Sequence, residues 1–316
     1  NKSHTFEYYL KIKCMGRLYV LILFICLVSS EITAQSYNKF LDKLCDYQDN
    51  VRLEEKLVGD REFRDIDTNT FNLKDYMSIF SKLIPEPRYI LEYIYNYSWD
   101  GGIPLLYARR DDFEEEEYIS TERERIRVQW DSIMDVRVEK IENEDWEEEE
   151  KNKRIERIKR MCMYMSEVSD ERILLEFAWD SVNHAVRHLI PEDSKMGYFQ
   201  LLIFKLYNNN FALWWHANYS YRFPVYKKEQ IEFLIERNRR EVFSIWFDEK
   251  KILPLLEENL GPRIKMEQRR CVITLYEFYA GSGLYRNVYS ISRVAPYTIK
   301  EEQSEKLVPN DFRGFY

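Results

Sequence analysis

Residues 89–108 constrain the fold more tightly than any other stretch of this chain. Tyr89, Leu91, Tyr93, Tyr95, Tyr97 and Trp99 alternate with Ile90, Glu92, Ile94, Asn96 and Ser98. That is a period of two, the spacing at which successive side chains point to opposite faces of a strand. The residue types are also those that favour a pleated surface. Asp100-Gly101-Gly102 offers the positive φ of a tight turn, and Ile103 to Ala108 returns. The pattern predicts an antiparallel hairpin.

Two further hairpins are expected. In the first, Tyr198 to Tyr207 is the outgoing strand, Asn208-Asn209-Asn210 the turn, and Phe211 to Tyr221 the return. In the second, Cys271 to Tyr279 and Leu284 to Arg293 flank Ala280-Gly281-Ser282-Gly283. Helical spacing of apolar residues fills the gaps, over 37–57, 72–83, 170–190, 227–240 and 250–259. Pro85 and Pro87, Pro191, and Gly261-Pro262 supply stops. The chain beyond Pro296 is polar and is expected to pack loosely. Hairpins separated by helices predict an α+β fold of antiparallel strands packed with helices. There is no βαβ alternation, internal repeat or glycine-rich phosphate loop.

Residues 111–166 form a charged helical insertion after the first hairpin. Thr121 and Glu124 fit a capping box. Ile126, Trp130, Ile133, Met134, Val138 and Ile141 fall on one face, and Ile155, Ile158, Cys162 and Met165 would continue it. Glu144, Asp145, Glu148, Lys151 and Asn152 interrupt that stripe and cannot be core. The spacing predicts either one solvated helix of roughly 70 Å or a helical hairpin turning near Asn143. Glu147/Lys151, Glu149/Lys153 and Glu150/Arg154 are four apart in the favourable order, each pair contributing about 0.2–0.5 kcal/mol.

The rest of the organisation follows from residues 1–34. Met15-Gly16-Arg17 is a short basic start, Leu18 to Val28 an unbroken apolar run of eleven residues, and Ser29 to Ala34 a small-residue cleavage region. A spanning helix needs ~20 apolar residues. Residues 15–34 therefore read as a secretory signal peptide of bacterial envelope type, and 1–14 as an upstream extension. Cleavage after Ala34, or alternatively after Ser30, is expected. The mature chain then comprises 35–110 (N-terminal helix and first hairpin), 111–166, 167–295 (helices and two hairpins) and the tail 296–316.

Net charge is −8, and residues 111–160 alone hold 19 acidic and 11 basic side chains, so the remainder sums to zero. With no basic patch interleaved with aromatics, nucleic acid is not an expected partner. At 45% hydrophobic and 16% aromatic the chain can bury a substantial core. Cys45, Cys162 and Cys271 remain after cleavage, too few for a disulfide framework, and read as small buried hydrophobes.

Candidate chemistry is sparse. His184 and His188 are four apart on the expected 170–190 helix, with Asp180 four residues before His184, a spacing that can hold a metal ion. Ala185 stands where a zinc protease would need its glutamate. Gly281-Ser282-Gly283 lacks the spacing of a nucleophile elbow. Glu114–Glu117 and Glu147–Glu150 lack the spaced ligands of a calcium loop. Aromatic rows are the most suggestive feature: Tyr97 and Trp99 with Tyr93 and Tyr95, and Trp215 with Tyr219, with Trp214 on the opposite face of that strand. Rings with polar tips suit a sugar or an extended peptide, and equally a sheet face covered by helices. The expectation is an exported, non-catalytic protein of the bacterial cell envelope that binds a protein or glycan. Tyr97, Trp99, Trp214, Trp215 and Tyr219 are the candidate contacts. No cofactor is expected, and no membrane contact beyond an uncleaved signal segment. The alternative is a secreted hydrolase using carboxylates, with or without a metal at Asp180, His184 and His188.

Overall fold

The computed structural model describes residues 35–51, 71–96, 103–208, 211, 222–240, 247–279 and 282–309. It is α+β, with antiparallel strands and helices packed against them. The chain divides into two compact units: residues up to Ile84 together with Pro191 onward, and Pro85 to Ile190 without the segment Trp99–Gly101. The expected signal and upstream segments, and the turn of the first hairpin, lie outside the described residues.

The first unit opens on helix α1 (35–51) and α2 (Leu73–Ile79), the latter started by Asn72, whose side chain accepts from the Asp75 N–H. Strand β1 (Leu83–Pro85) leads out of the unit and β4 (Leu189–Pro191) leads back. Next comes α6 (Lys195–Tyr207), capped by the Ser194 hydroxyl on the Gly197 N–H at 3.1 Å. This segment corrects the expected strand 198–207. Tyr198, Phe199, Leu201, Leu202, Ile203, Phe204 and Tyr207 are all buried. A helix buried on every side shows no 3.6-residue stripe, so its apolar run resembles that of a buried strand.

The five-stranded sheet follows. It contains β5 (Arg222–Val225), β6 (Arg263–Met266), β7 (Arg270–Tyr279), β8 (Gly283–Ser292) and β9 (Ile299–Pro309), all antiparallel, in the order β5-β7-β8-β9 with β6 also on β7. The β7–β8 hairpin is as expected, with Tyr279 opposite Gly283, which holds φ 117°. Strand β9 corrects the loosely packed tail. Its sequence reads as polar because it is an edge strand exposed over 300–304, and charged residues suit an edge that must not pair further. One sheet face carries Val225, Tyr276, Phe278, Leu284 and Val308, packed with Ile231, Leu234 and Ile235 of α7 (Lys228–Arg240) and Ile252 of α8 (Glu249–Ile252). Each such side chain contributes about 1.5–3 kcal/mol when fully buried. The other face carries Ile273, Leu275 and Glu277 and meets α6.

The second unit is built on the first hairpin, β2 (Tyr89–Asn96) with β3 (Ile103–Arg110), in register from Tyr89 opposite Arg110 to Asn96 opposite Ile103. The charged insertion is a helical hairpin, α3 (Glu115–Glu142) and α4 (Glu148–Ser166), breaking at Asn143. The capping box does not form. Helix α3 starts six residues before Thr121, with Glu115, Glu116 and Glu117 against the positive end of its dipole, and Glu124 instead pairs with Arg127 at 2.6 Å.

Helix α5 (Asp170–Trp179) corrects the expected helix 170–190. Asp180 turns extended, and the Asn183 side-chain amide donates to the Phe177 carbonyl at 2.9 Å, closing the last turn. A short 3₁₀ turn (Ala185–His188) then joins to β4. Leu105, Tyr107, Phe177 and Ala178 form one core of this unit, and Ile119, Ile126 and Ile173 a second.

Candidate functional site

Trp99, Tyr97, Trp214, Trp215 and Tyr219 lie outside the described residues. Of the first aromatic row, Tyr95 is buried and Tyr93 half-buried, their rings edge to face at 5.9 Å.

Asp180, His184 and His188 do not share a helix face. His184 pairs its backbone with Tyr107 of β3. Asp180 accepts the Val182 N–H at 3.0 Å. His188 lies flat on Tyr89, centroids 3.8 Å apart. Its Nδ1 is 3.1 Å from Glu86 Oε2 and its Nε2 2.8 Å from the Val182 carbonyl, so neither nitrogen faces an open position. Among the described residues no three or more His, Cys, Asp or Glu side chains converge as a metal site. Cys162 and Cys271 are buried, and burial pushes the Cys271 thiol up to about 11, away from the reactive thiolate.

The sheet contains one buried polar cluster that motif reading passed over. Glu277 on β7 is fully buried. Its Oε1 accepts from the Tyr207 hydroxyl of α6 and from Arg222 Nε at 2.8 Å and Nη2 at 2.7 Å. Its Oε2 accepts from Asn287 Nδ2 and the Tyr289 hydroxyl, each at 2.6 Å. Arg222 also stands 4.7 Å over the Tyr279 ring, and Ser304 of β9 donates to Asn287 Oδ1 at 2.7 Å.

Burial, with the Glu277 carboxylate second, holds the Tyr207, Tyr289 and Tyr279 hydroxyls far above the ordinary tyrosine range, Tyr279 at about 12. Both carboxylate oxygens are occupied. The cluster therefore ties α6, β5, β7, β8 and β9 together and offers no lone pair to a substrate. One signal was available in the sequence: Glu277 is the single charge in the run Cys271–Tyr279, on the same side of the strand as Ile273 and Leu275.

The α3/α4 arm is largely solvent-exposed. Its helices are 28 and 19 residues long, yet only Ile119, Ile126, Ile141 and Cys162 are buried in them. Charges on each helix are laced locally, as in Glu122–Arg125, Glu149–Lys153 and Glu150–Arg154, and Arg154 covers the Trp146 ring at 3.9 Å. Such exposed pairs are worth 0–1 kcal/mol each, so they do not explain why so long a solvated element persists.

Comparison with protein-family models, curated proteins and solved structures finds no match for this chain.

Proposed function

We propose that this chain is an exported, non-catalytic interaction protein of the bacterial cell envelope, contacting a protein partner through the α3/α4 arm. Export rests on the run Met15–Ala34. The observation that carries the interaction reading is the arm itself. Beyond Ile119 and Ile126, which pack with Ile173, these helices of 28 and 19 residues bury only Ile141 and Cys162, while Val128, Val136, Met163 and Tyr164 stand more than half exposed. The candidate groups for a carboxylate or metal hydrolase, by contrast, spend their lone pairs within the fold. His188 is held by Glu86 and Val182, and Glu277 by four side chains.

The test is photo-crosslinking in cells that express the full chain. A crosslinking residue at Val136 or Met163 is expected to capture protein in the envelope fraction, with the chain's N-terminus starting after residue 30 or 34. The same residue at Ile84 or Val294, similarly exposed at 60% and 69%, is expected to capture little. Equal capture at all four positions, or none at the arm, would overturn the reading.

A further inference from the structure

We infer that arms of two copies of this chain pack side by side, the outer face of α3 in one copy against the outer face of α4 in the next. The inference rests on the reading of the arm as the contact element. On α3 the residues Val128, Asp131, Asp135 and Glu139 recur three and four apart, which places them on one stripe. All are exposed, and Glu117, Glu124 and Glu142 extend the stripe with the same sign, while Arg125 and Arg127 flank it. On α4 the residues Lys153, Arg157, Arg160 and Tyr164 form the corresponding exposed stripe, whose charges are positive from Arg157 downward, while Glu149, paired to Lys153 at 2.7 Å, and Glu156 lie along its edge.

The two stripes also match in level. Lys151 Nζ reaches the Glu142 carbonyl at 3.0 Å, which sets the tip ends of the two antiparallel helices side by side. At 1.5 Å per residue, Glu139, Asp135, Asp131 and Val128 lie roughly 5, 10, 16 and 21 Å below Glu142. Lys153, Arg157, Arg160 and Tyr164 lie roughly 8, 13, 18 and 24 Å below Glu148 on the same measure. The offset is nearly constant. A neighbour with a parallel arm and no axial shift therefore sets Glu139 against Lys153, Asp135 against Arg157, Asp131 against Arg160 and Val128 against Tyr164.

Among the described residues Asp135, Glu139, Arg157 and Arg160 have no ion-pair partner. Like charges meet at the tip, Glu142 with Glu149 and Glu150, where Lys153 and Arg154 already neutralise the latter two at 2.7 Å each. A purely basic partner would account for α3 and leave the α4 stripe without a role. The two faces differ, so the contact is head-to-tail and repeats into a row or a ring.

Sedimentation of the purified full chain tests this. Association is expected near 10 mM ionic strength, where the Debye length is ~30 Å, and dissociation near 1 M, where it is ~3 Å. R157E/R160E and D135K/E139K are each expected to weaken association by about tenfold or more. Mixing the two variants is expected to restore association, because the first then presents two acidic faces and the second two basic ones. Circular dichroism confirms that each variant is folded. A wild-type chain that stays monomeric at low salt, or variants that do not recover on mixing, would overturn the inference. Val136 and Met163 crosslinks to other proteins would in that case still support the interaction reading alone.

Discussion

Replacing Glu277 by Gln tests the energetic account of the sheet most directly. The substitution keeps the size and removes the charge. Arg222, whose side chain is 22% exposed, then loses the carboxylate that receives its Nε and Nη2. The new amide NH₂ must also sit where two donors converge, either Tyr207 and Arg222 or Asn287 and Tyr289. Breaking one partner of a buried pair costs about 3–5 kcal/mol. For a domain of this size that corresponds to a fall in Tm of roughly 6–20 °C.

Tyr207→Phe removes a single hydrogen bond to a charged acceptor and is expected to cost about 1.5–3 kcal/mol. The order E277Q worse than Y207F is therefore part of the prediction. Urea unfolding followed by near-ultraviolet circular dichroism reads both values at constant m. An E277Q cost under about 1 kcal/mol, or a Y207F cost above that of E277Q, would show that the carboxylate is not the hub that the hydrogen bonds make it.

Three further outcomes are expected. Glu92 accepts from Arg109 Nε at 2.7 Å and Nη2 at 2.6 Å, and that pairing holds its carboxyl below the usual glutamate range. With the folded value depressed, its contribution is present above pH ~4.3 and is lost as pH falls through the folded value. The stability gap between wild type and E92Q should therefore shrink below pH ~4, and a gap constant down to pH ~3 would refute the assignment. Burial raises Tyr37, Tyr198 and Tyr279 to about 12 each. Their contribution is then complete below pH ~10 and is lost as pH rises through about 12, so tyrosinate absorbance should lag in the native chain and appear with unfolding. Finally, a Cβ at Gly197 would sit 2.1 Å from the Glu192 carbonyl oxygen. Gly197→Ala should lower stability by about 1–3 kcal/mol through forced movement of that backbone, and an unchanged urea midpoint would contradict it.

Much of the fold was legible in residue order because it depends on neighbours in the chain. The β2–β3 and β7–β8 hairpins follow from period-two alternation around turn residues, and the arm from charged 3.6-residue spacing broken at Asn143. The α5 boundary was not legible. Apolar residues recur at helical spacing through Leu189, but Asn183 closes the helix at Phe177 by a side-chain bond that spacing does not reveal.

What only the tertiary structure decided is which surroundings each segment meets. Helix α6 and a buried strand share the same apolar composition, and burial on all sides by both sheet and helices selects the helix. Strand β9 is polar, and only a free edge on β8 makes such a sequence a strand. The Glu277 cluster joins α6, β5, β7, β8 and β9, residues up to 97 apart in the chain, through register and not through any motif. Local propensities act over a few residues, whereas a buried charge is satisfied only when distant strands pair in one register. Local order thus determined the β2–β3 and β7–β8 hairpins and the arm, and packing decided α6, β9 and the polar hub.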